Sequence, residues 1–175
     1  TRAAKLRTLY RIKALQGRTD VASADPNYRV RALRTPNDPY YGYQWHYPMI
    51  SLPQAWDVAT VAGSGTEVVV AVVDTGVMLD HPDLKDSFLR DAGGRVVGYD
   101  FIRSTTTSND GDGIDANADD PGDESTPASS SWHGTHVAGT IGAGNNNGVG
   151  VAGVSWGARI MPVRVIGKGG GTSYD

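Results

Sequence analysis

Two polar positions lie where buried elements begin or end, and both carry side chains capable of acid–base chemistry. Asp74 directly follows the mostly apolar run of residues 66–73, and His133 and His136 open a segment with helix-like apolar spacing. A His at a helix N-terminus tends to stay neutral, because the positive end of the helix dipole disfavours imidazolium. Neutral imidazole is the form that a general base needs. Two alternatives stay open at this point: the histidines could bind a metal, although this spacing alone is weak evidence, and Asp74 could simply cap a turn.

The elements that would position these groups alternate between strand and helix. Residues 66–73 are β-branched and apolar on both faces, which is typical of a central strand in a parallel sheet. Residues 95–101 and 159–166 are predicted as further strands, and residues 132–143 as a helix between them. We therefore predict an α/β fold, with a mainly parallel sheet flanked by helices. In such a sheet ligands bind at the carboxyl ends of the strands, which is where Asp74 lies.

Three segments together resemble the subtilisin-like serine proteases, the subtilases of peptidase family S8. They are Val72-Val73-Asp74-Thr75-Gly76-Val77, Asp80-His81-Pro82-Asp83-Leu84 and His133-Gly134-Thr135-His136-Val137-Ala138-Gly139-Thr140-Ile141. The resemblance implies a three-layer fold and a Ser-His-Asp triad in the chain order Asp, His, Ser. Asp74 matches the triad Asp and His133 the triad His, so Asp74 would orient the imidazole that takes the serine proton. In the family the second His, here His136, has a structural role.

The nucleophilic serine of the family lies in a Gly-Thr-Ser-Met-Ala type motif far downstream of the His, and no such motif occurs here. Ser173 follows Gly-Thr but comes too soon after His133 and lacks the small residue and helix that should follow, so we reject it as nucleophile. We expect the chain to be an incomplete part of a serine endopeptidase precursor, inactive alone. Two other classes stay open: a catalytically dead homologue that serves binding, and a calcium-stabilised binding module.

A glycine-rich segment matches the family strand that pairs with the substrate backbone. Its residues are Gly169, Gly170 and Gly171. Glycine lets another backbone approach closely, so the resemblance implies that protein or peptide substrates bind here. A flexible loop is the alternative.

The resemblance also implies structural calcium, at one or two sites. For the first site the matching residues combine one carboxylate, two amides and loop carbonyls, the hard oxygen ligands that suit Ca²⁺; they are Asp83, Asn147, Val149, Val151 and Gln44. The second candidate lies in residues 104–131, a polar stretch long enough to be functional or mobile. Its carboxylates are Asp110, Asp112 and Asp115. An ordinary Asn-Gly turn and a solvated acidic loop are the alternatives.

The N-terminal region differs from the rest in being basic, with a predicted amphipathic helix up to about Leu15 and a short strand over residues 21–24. Residues 1–34 resemble the C-terminal part of a small α+β propeptide with its processing linker, and residues 35–175 the N-terminal half of the catalytic domain. The resemblance implies that the propeptide is an intramolecular inhibitor, whose extended tail can occupy the substrate cleft by strand addition. An unrelated extension is the alternative.

The amino-acid composition excludes several classes of binding partner and site. The 175 residues carry 16 Lys and Arg against 19 Asp and Glu, a net charge of −3, so no basic face indicates a nucleic-acid partner. No apolar run reaches the roughly 20 residues of a membrane helix, so we expect no membrane contact. The absence of cysteine excludes a Cys nucleophile, disulfides and thiolate metal sites. From the resemblance we expect a secreted, extracellular monomer.

Overall fold

The computed structural model describes residues 2–26, 34–60, 67–124 and 129–170. By its internal contacts the chain divides into two compact units, Thr1–Ala32 and Leu33–Asp175. In the first unit, helix α1 spans Arg2–Gln16, which confirms the predicted helix. The strand predicted over residues 21–24 is wrong, because this segment runs as an irregular chain with no ladder partner among the described residues.

The second unit is built on a three-stranded parallel sheet. Its strands are β1 (Val68–Asp74), β2 (Tyr99–Asp100) and β3 (Ala158–Arg164), in the spatial order β1-β3-β2. The α/β class with a parallel sheet is confirmed. The register brings Asp74 of β1 beside Arg164 of β3.

Two details of the sheet differ from expectation. The strand predicted over residues 95–101 is only two residues long in the structure. It pairs with β3 only after Pro162, because proline has no N–H to donate to a ladder. Among the described strands β1 lies at the edge of the sheet, and Val68, Val69 and Val73 are exposed. The apolar run therefore shows one buried face rather than two.

Helices in this unit are short. They are α2 (His46–Met49), α3 (Leu52–Val58), α4 (Thr105–Ser108) and α5 (His133–Gly142), with a 3-10 turn at Tyr41–Tyr43. Helix α5 confirms the predicted helix over residues 132–143. Its buried face consists of small residues, which lets the helix approach β1 and β3 closely; they are Gly134, Thr135, Ala138, Gly139 and Gly142. Ser51 is the N-cap residue of α3, but its side chain makes no capping hydrogen bond.

Two hydrophobic clusters hold the unit together. The larger one lies between α5 and the sheet, and its buried members are Val72, Val77, Leu84, Phe88, Ala138, Ala143 and Ile160. The aromatic residues near the start of the unit form the second cluster, around Tyr47, Leu52, Trp56 and Ala152. Tyr40, Tyr43 and Trp45 in the same stretch are exposed and lie outside this core. In the described residues, no helix is long and apolar enough to cross a membrane.

Candidate active site

Asp74 and His133 meet where β1 ends and α5 begins. Nδ1 of His133 lies 2.8 Å from both carboxylate oxygens of Asp74. The Asp74 side chain is 11% exposed and the His133 side chain 65% exposed, so the carboxylate lies behind an imidazole that faces outward. Because an ionised carboxylate only accepts hydrogen bonds, the proton lies on Nδ1 and the lone pair on Nε2. This arrangement leaves Nε2 able to take a proton from another group.

Thr75 fixes the carboxylate and joins it to the helix. The Thr75 N–H donates to Asp74 Oδ1 at 2.7 Å. The Thr75 hydroxyl donates to Asp120 Oδ2 at 2.8 Å and accepts the N–H of Gly134 at 3.0 Å. Burial raises the pKa of Asp120, partly offset by this hydroxyl. One side chain thus connects the end of β1, the polar loop and the first turn of α5.

The glycines of this site are required by close packing. A Cβ on Gly134 would overlap the carbonyl oxygen of Gly76 and lie 3.1 Å from the Asp74 Cβ. Gly76 itself has φ +94°, a conformation that other residues rarely adopt. The glycines of the Asp-Thr-Gly and His-Gly segments therefore allow the end of β1 to contact the start of α5.

The chain just before His133 is held by a second carboxylate. The Ser131 N–H and hydroxyl donate to Asp123 at 2.7 and 2.5 Å, and the Ser131 oxygen accepts the N–H of His133 at 3.3 Å. The Ser131 hydroxyl lowers the pKa of Asp123. Trp132 between them has φ +50°. Sequence reasoning missed Asp120 and Asp123, because both lie in a segment whose many carboxylates resemble a solvated acidic loop.

Four of the five residues predicted for the first calcium site lie together. Asp83 is 4% exposed, and its two oxygens accept Asn147 Nδ2 and the Val151 N–H, each at 2.9 Å. The Val149 N–H donates to Asn147 Oδ1 at 2.8 Å. Gln44 is instead bonded through both amide atoms to the backbone of Ala152, at 2.8 and 2.9 Å.

The donor set of this loop suits a hard cation. Asn145 Oδ1 is buried without a hydrogen-bond partner in the part of the chain that the structure describes, so the loop holds a spare oxygen ligand. Over the same residues no group of three His, Cys, Asp or Glu side chains could share a metal. A cation here would therefore depend on one carboxylate together with neutral amide and carbonyl oxygens.

Two of the three carboxylates predicted for the second calcium site have partners outside the set. Asp110 bonds Arg164 Nη1 at 2.7 Å, and Asp115 accepts the Asn117 N–H at 2.8 Å. The pKa of Asp112 is raised by burial and by the negative charges of Asp115 and Asp110. These carboxylates therefore repel one another, and the buried Arg164 offsets part of the repulsion.

The glycine segment forms an exposed turn after β3, in which the Gly170 N–H donates to the Gly167 carbonyl at 3.0 Å. Gly169 and Gly170 are exposed, and Gly171 and Ser173 lie outside the described residues. His81 accepts the Asp83 N–H at 3.3 Å, and the His46 ring packs against Tyr47.

Comparison with known proteins decides the family. The sequence model of the Subtilase family, Peptidase_S8, matches residues 65–175, a range that contains Asp74 and His133. The chain belongs to the subtilase family. The resemblance found in the sequence is confirmed. Asp74 and His133, called the dyad below, lie inside the matched subtilase domain.

Known subtilase relatives cover most of this chain. It is 46% identical over 173 residues to an extracellular protease of Xanthomonas campestris pv. campestris, covering 87% of this chain and 28% of that protein. It is 46% identical over 156 residues to an extracellular basic protease of Dichelobacter nodosus, covering 80% of this chain and 24% of that protein. A solved protease structure from Pseudoalteromonas arctica PAMC 21717 matches with a TM-score of 0.67 and 47% identity, over 80% of this chain and 41% of that one. The present chain thus spans about a quarter of the length of these two curated relatives.

Proposed function

We propose that the whole protein is a secreted serine endopeptidase that cleaves peptide bonds through an acyl-enzyme, with Asp74 and His133 as two members of its triad. The observation that supports this most is the 2.8 Å approach of His133 Nδ1 to both Asp74 oxygens. Membership of the subtilase family and the extracellular relatives support the reaction and the location.

In this proposal the two residues divide the proton chemistry. His133 Nε2 takes the proton of a serine hydroxyl as that oxygen attacks the scissile carbonyl carbon, and later gives it to the leaving amine. Asp74 keeps Nδ1 protonated and stabilises the imidazolium formed in between. Water then attacks the acyl-enzyme ester while His133 takes its proton. His133 returns that proton to the serine oxygen as the ester bond breaks and the carboxylic acid product leaves. No Gly-Thr-Ser-Met-Ala type motif follows His133 here, so the serine would belong to another part of the whole protein.

Residues around the dyad would bind the substrate and stabilise the fold. The exposed backbone at Gly169 and Gly170, with Gly171, would pair with an extended protein or peptide substrate. One Ca²⁺ ion would be held by Asp83, Asn147 and the carbonyls of Val149 and Val151, where it would tie the loop to the body of the domain. The second site, at Asp110, Asp112 and Asp115, stays a prediction.

Residues 1–34 are proposed as the end of a propeptide with its processing linker, and residues 35–175 as the first half of the catalytic domain. The separation of the chain into compact units at residues 32 and 33 is compatible with such a boundary. An extended linker of this kind could occupy the cleft before cleavage and so inhibit the enzyme, acting by strand addition.

Labelling of the full-length protein with a fluorophosphonate tests the proposal. This reagent reacts with a serine only when a neighbouring base activates its hydroxyl. We expect one labelled serine, identified by mass spectrometry of the peptides, and loss of labelling in His133→Ala. A folded full-length protein that takes no label would instead be a dead homologue.

A further inference from the structure

A buried arginine lies directly behind the dyad. Arg164 ends β3, is 1% exposed and stands in register beside Asp74. Its Nε donates to the Thr75 carbonyl at 3.1 Å, and its Nη1 donates to Asp100 at 2.5 Å and to Asp110 at 2.7 Å. Its Nη2 donates to the Ser108 carbonyl. All three guanidinium nitrogens are therefore bonded, and they join three separate segments.

Stability alone gives a weak reason for this arrangement. Asp100 is 0% exposed, so both charges of its pair with Arg164 have lost their water. The cost of desolvating such a pair roughly cancels its attraction, and well-packed apolar residues of similar volume are often as stable. What a guanidinium adds is a rigid, planar set of donors with fixed directions. The direction that matters here is the one toward Thr75.

Thr75 transmits the position of Arg164 to the dyad. Its carbonyl is held by Arg164, its N–H is bonded to Asp74, and its hydroxyl accepts the N–H of Gly134 beside His133. The Gly76 backbone also packs closely against this arginine, because a Cβ on Gly76 would lie 3.0 Å from the Arg164 Cδ. A displaced Thr75 carbonyl would therefore move both partners of the dyad.

We infer that Arg164 is a positioning residue of the subtilase dyad: by fixing the Thr75 carbonyl it holds Asp74 within hydrogen-bond distance of His133. It touches neither the reacting atoms nor the substrate. The inference rests on the proposed function of the dyad.

Arg164→Lys in the full-length protein is the sharpest test. Lysine keeps the positive charge for Asp100 and Asp110, but a single ammonium cannot also reach the Thr75 carbonyl. We expect kcat to fall by about 10- to 100-fold with KM nearly unchanged, the size of effect known for small misplacements of catalytic groups. The downfield NMR resonance of the His133 Nδ1 proton should shift or broaden. The matched control is Arg159→Lys on the same strand, where the half-buried Arg159 pairs with Glu67 at 3.0 Å. Its kcat and its spectrum should stay as in the unmodified protein.

A folded Arg164→Lys variant with unchanged kcat and an unchanged Nδ1 resonance would overturn the inference. Should that variant not fold, Thr75→Ala removes the hydroxyl link while leaving Arg164 in place. Reduced kcat and a shifted resonance would support the transmission through Thr75, and an unaltered pair of readouts would refute it.

Fluorophosphonate labelling of the unmodified protein separates the two proposals, because absence of labelling counts against the proposed function while the resonance still reports on Arg164.

Discussion

Two buried aspartates in this subtilase domain, Asp74 and Asp83, have different partners. As whole residues they are 8% and 4% exposed. Asp74 faces one imidazole ring, whose other side is open to solvent. Asp83 faces an amide and a backbone N–H, neither of which changes its protonation state at ordinary pH. Burial therefore does not distinguish the two roles. The partner does: in the proposed mechanism the imidazole beside Asp74 takes part in proton transfer, whereas the N–H donors beside Asp83 hold a loop.

Of the substitutions that test this comparison, Asp74→Asn should have the largest effect, a fall in kcat. An amide can donate to Nδ1 and so favour the wrong imidazole tautomer while the fold persists. We expect kcat of the full-length protein to fall by about 10⁴-fold, the loss known for this replacement in a triad protease of another fold. Asp86→Asn, at an exposed position, is the matched control and should keep its rate. A loss for Asp74→Asn of less than tenfold would remove Asp74 from the mechanism.

Asp83→Ala should act on stability instead. It leaves the Val151 N–H and the Asn147 amide without their acceptor, which we expect to lower the free energy of unfolding by about 2–4 kcal/mol. Denaturant unfolding measures this, with the exposed Asp80→Ala as a control that should stay within about 0.5 kcal/mol. EDTA should lower the melting temperature of the unmodified protein more than that of Asp83→Ala. Equal shifts in both proteins would argue against calcium at Asp83.

The pH dependence of stability in alkaline solution tests a third buried polar group, the Tyr47 hydroxyl. The Tyr47 hydroxyl donates to the Ala152 carbonyl at 2.7 Å, and burial raises the pKa of Tyr47 to about 12. The ordinary pKa of tyrosine is near 10, so above that pH the unfolded chain ionises first and is favoured. Stability should be fully present below about pH 10 and fall by about 3 kcal/mol as the pH rises to about 12. Tyr47→Phe should lack this part of the decline, and a decline as steep as in the unmodified protein would refute the assignment.

The smallest effect is expected at the chain segment before His133. Ser131→Ala removes the 2.5 Å bond to Asp123 but keeps the backbone N–H bond at 2.7 Å. The pKa of Asp123 should rise toward its ordinary value, which carbon NMR of the carboxyl measures, while the free energy of unfolding changes by less than about 1 kcal/mol. Ser131→Thr keeps the hydroxyl and should leave that pKa unaltered.

Sequence reasoning recovered the parts of the site that depend on local pattern. The apolar run before Asp74 and the helix that begins at His133 can each be recognised within one segment, and the structure contains both elements. The strand, predicted as central, is an edge strand among those the structure describes. The resemblance to the subtilases added the pairing of the two residues, which the structure brings to 2.8 Å.

What the sequence did not show depends on distant partners. Arg164 is a charged residue in a strand and gives no local sign of being buried, because its counter-ions Asp100 and Asp110 come from other segments. Asp120 is buried, and its carboxylate accepts the hydroxyl of Thr75, which lies 45 residues away in the sequence. The length of β2 was overestimated because Pro162, on another strand, limits its pairing.

A crystal structure of the full-length protein bearing a covalent fluorophosphonate tests the central claim most directly. The account predicts the label on a serine whose Oγ lies within hydrogen-bond distance of His133 Nε2, with Nδ1 still about 2.8 Å from Asp74. A label on a residue remote from His133, or an Asp74 carboxylate turned away from the imidazole, would contradict it.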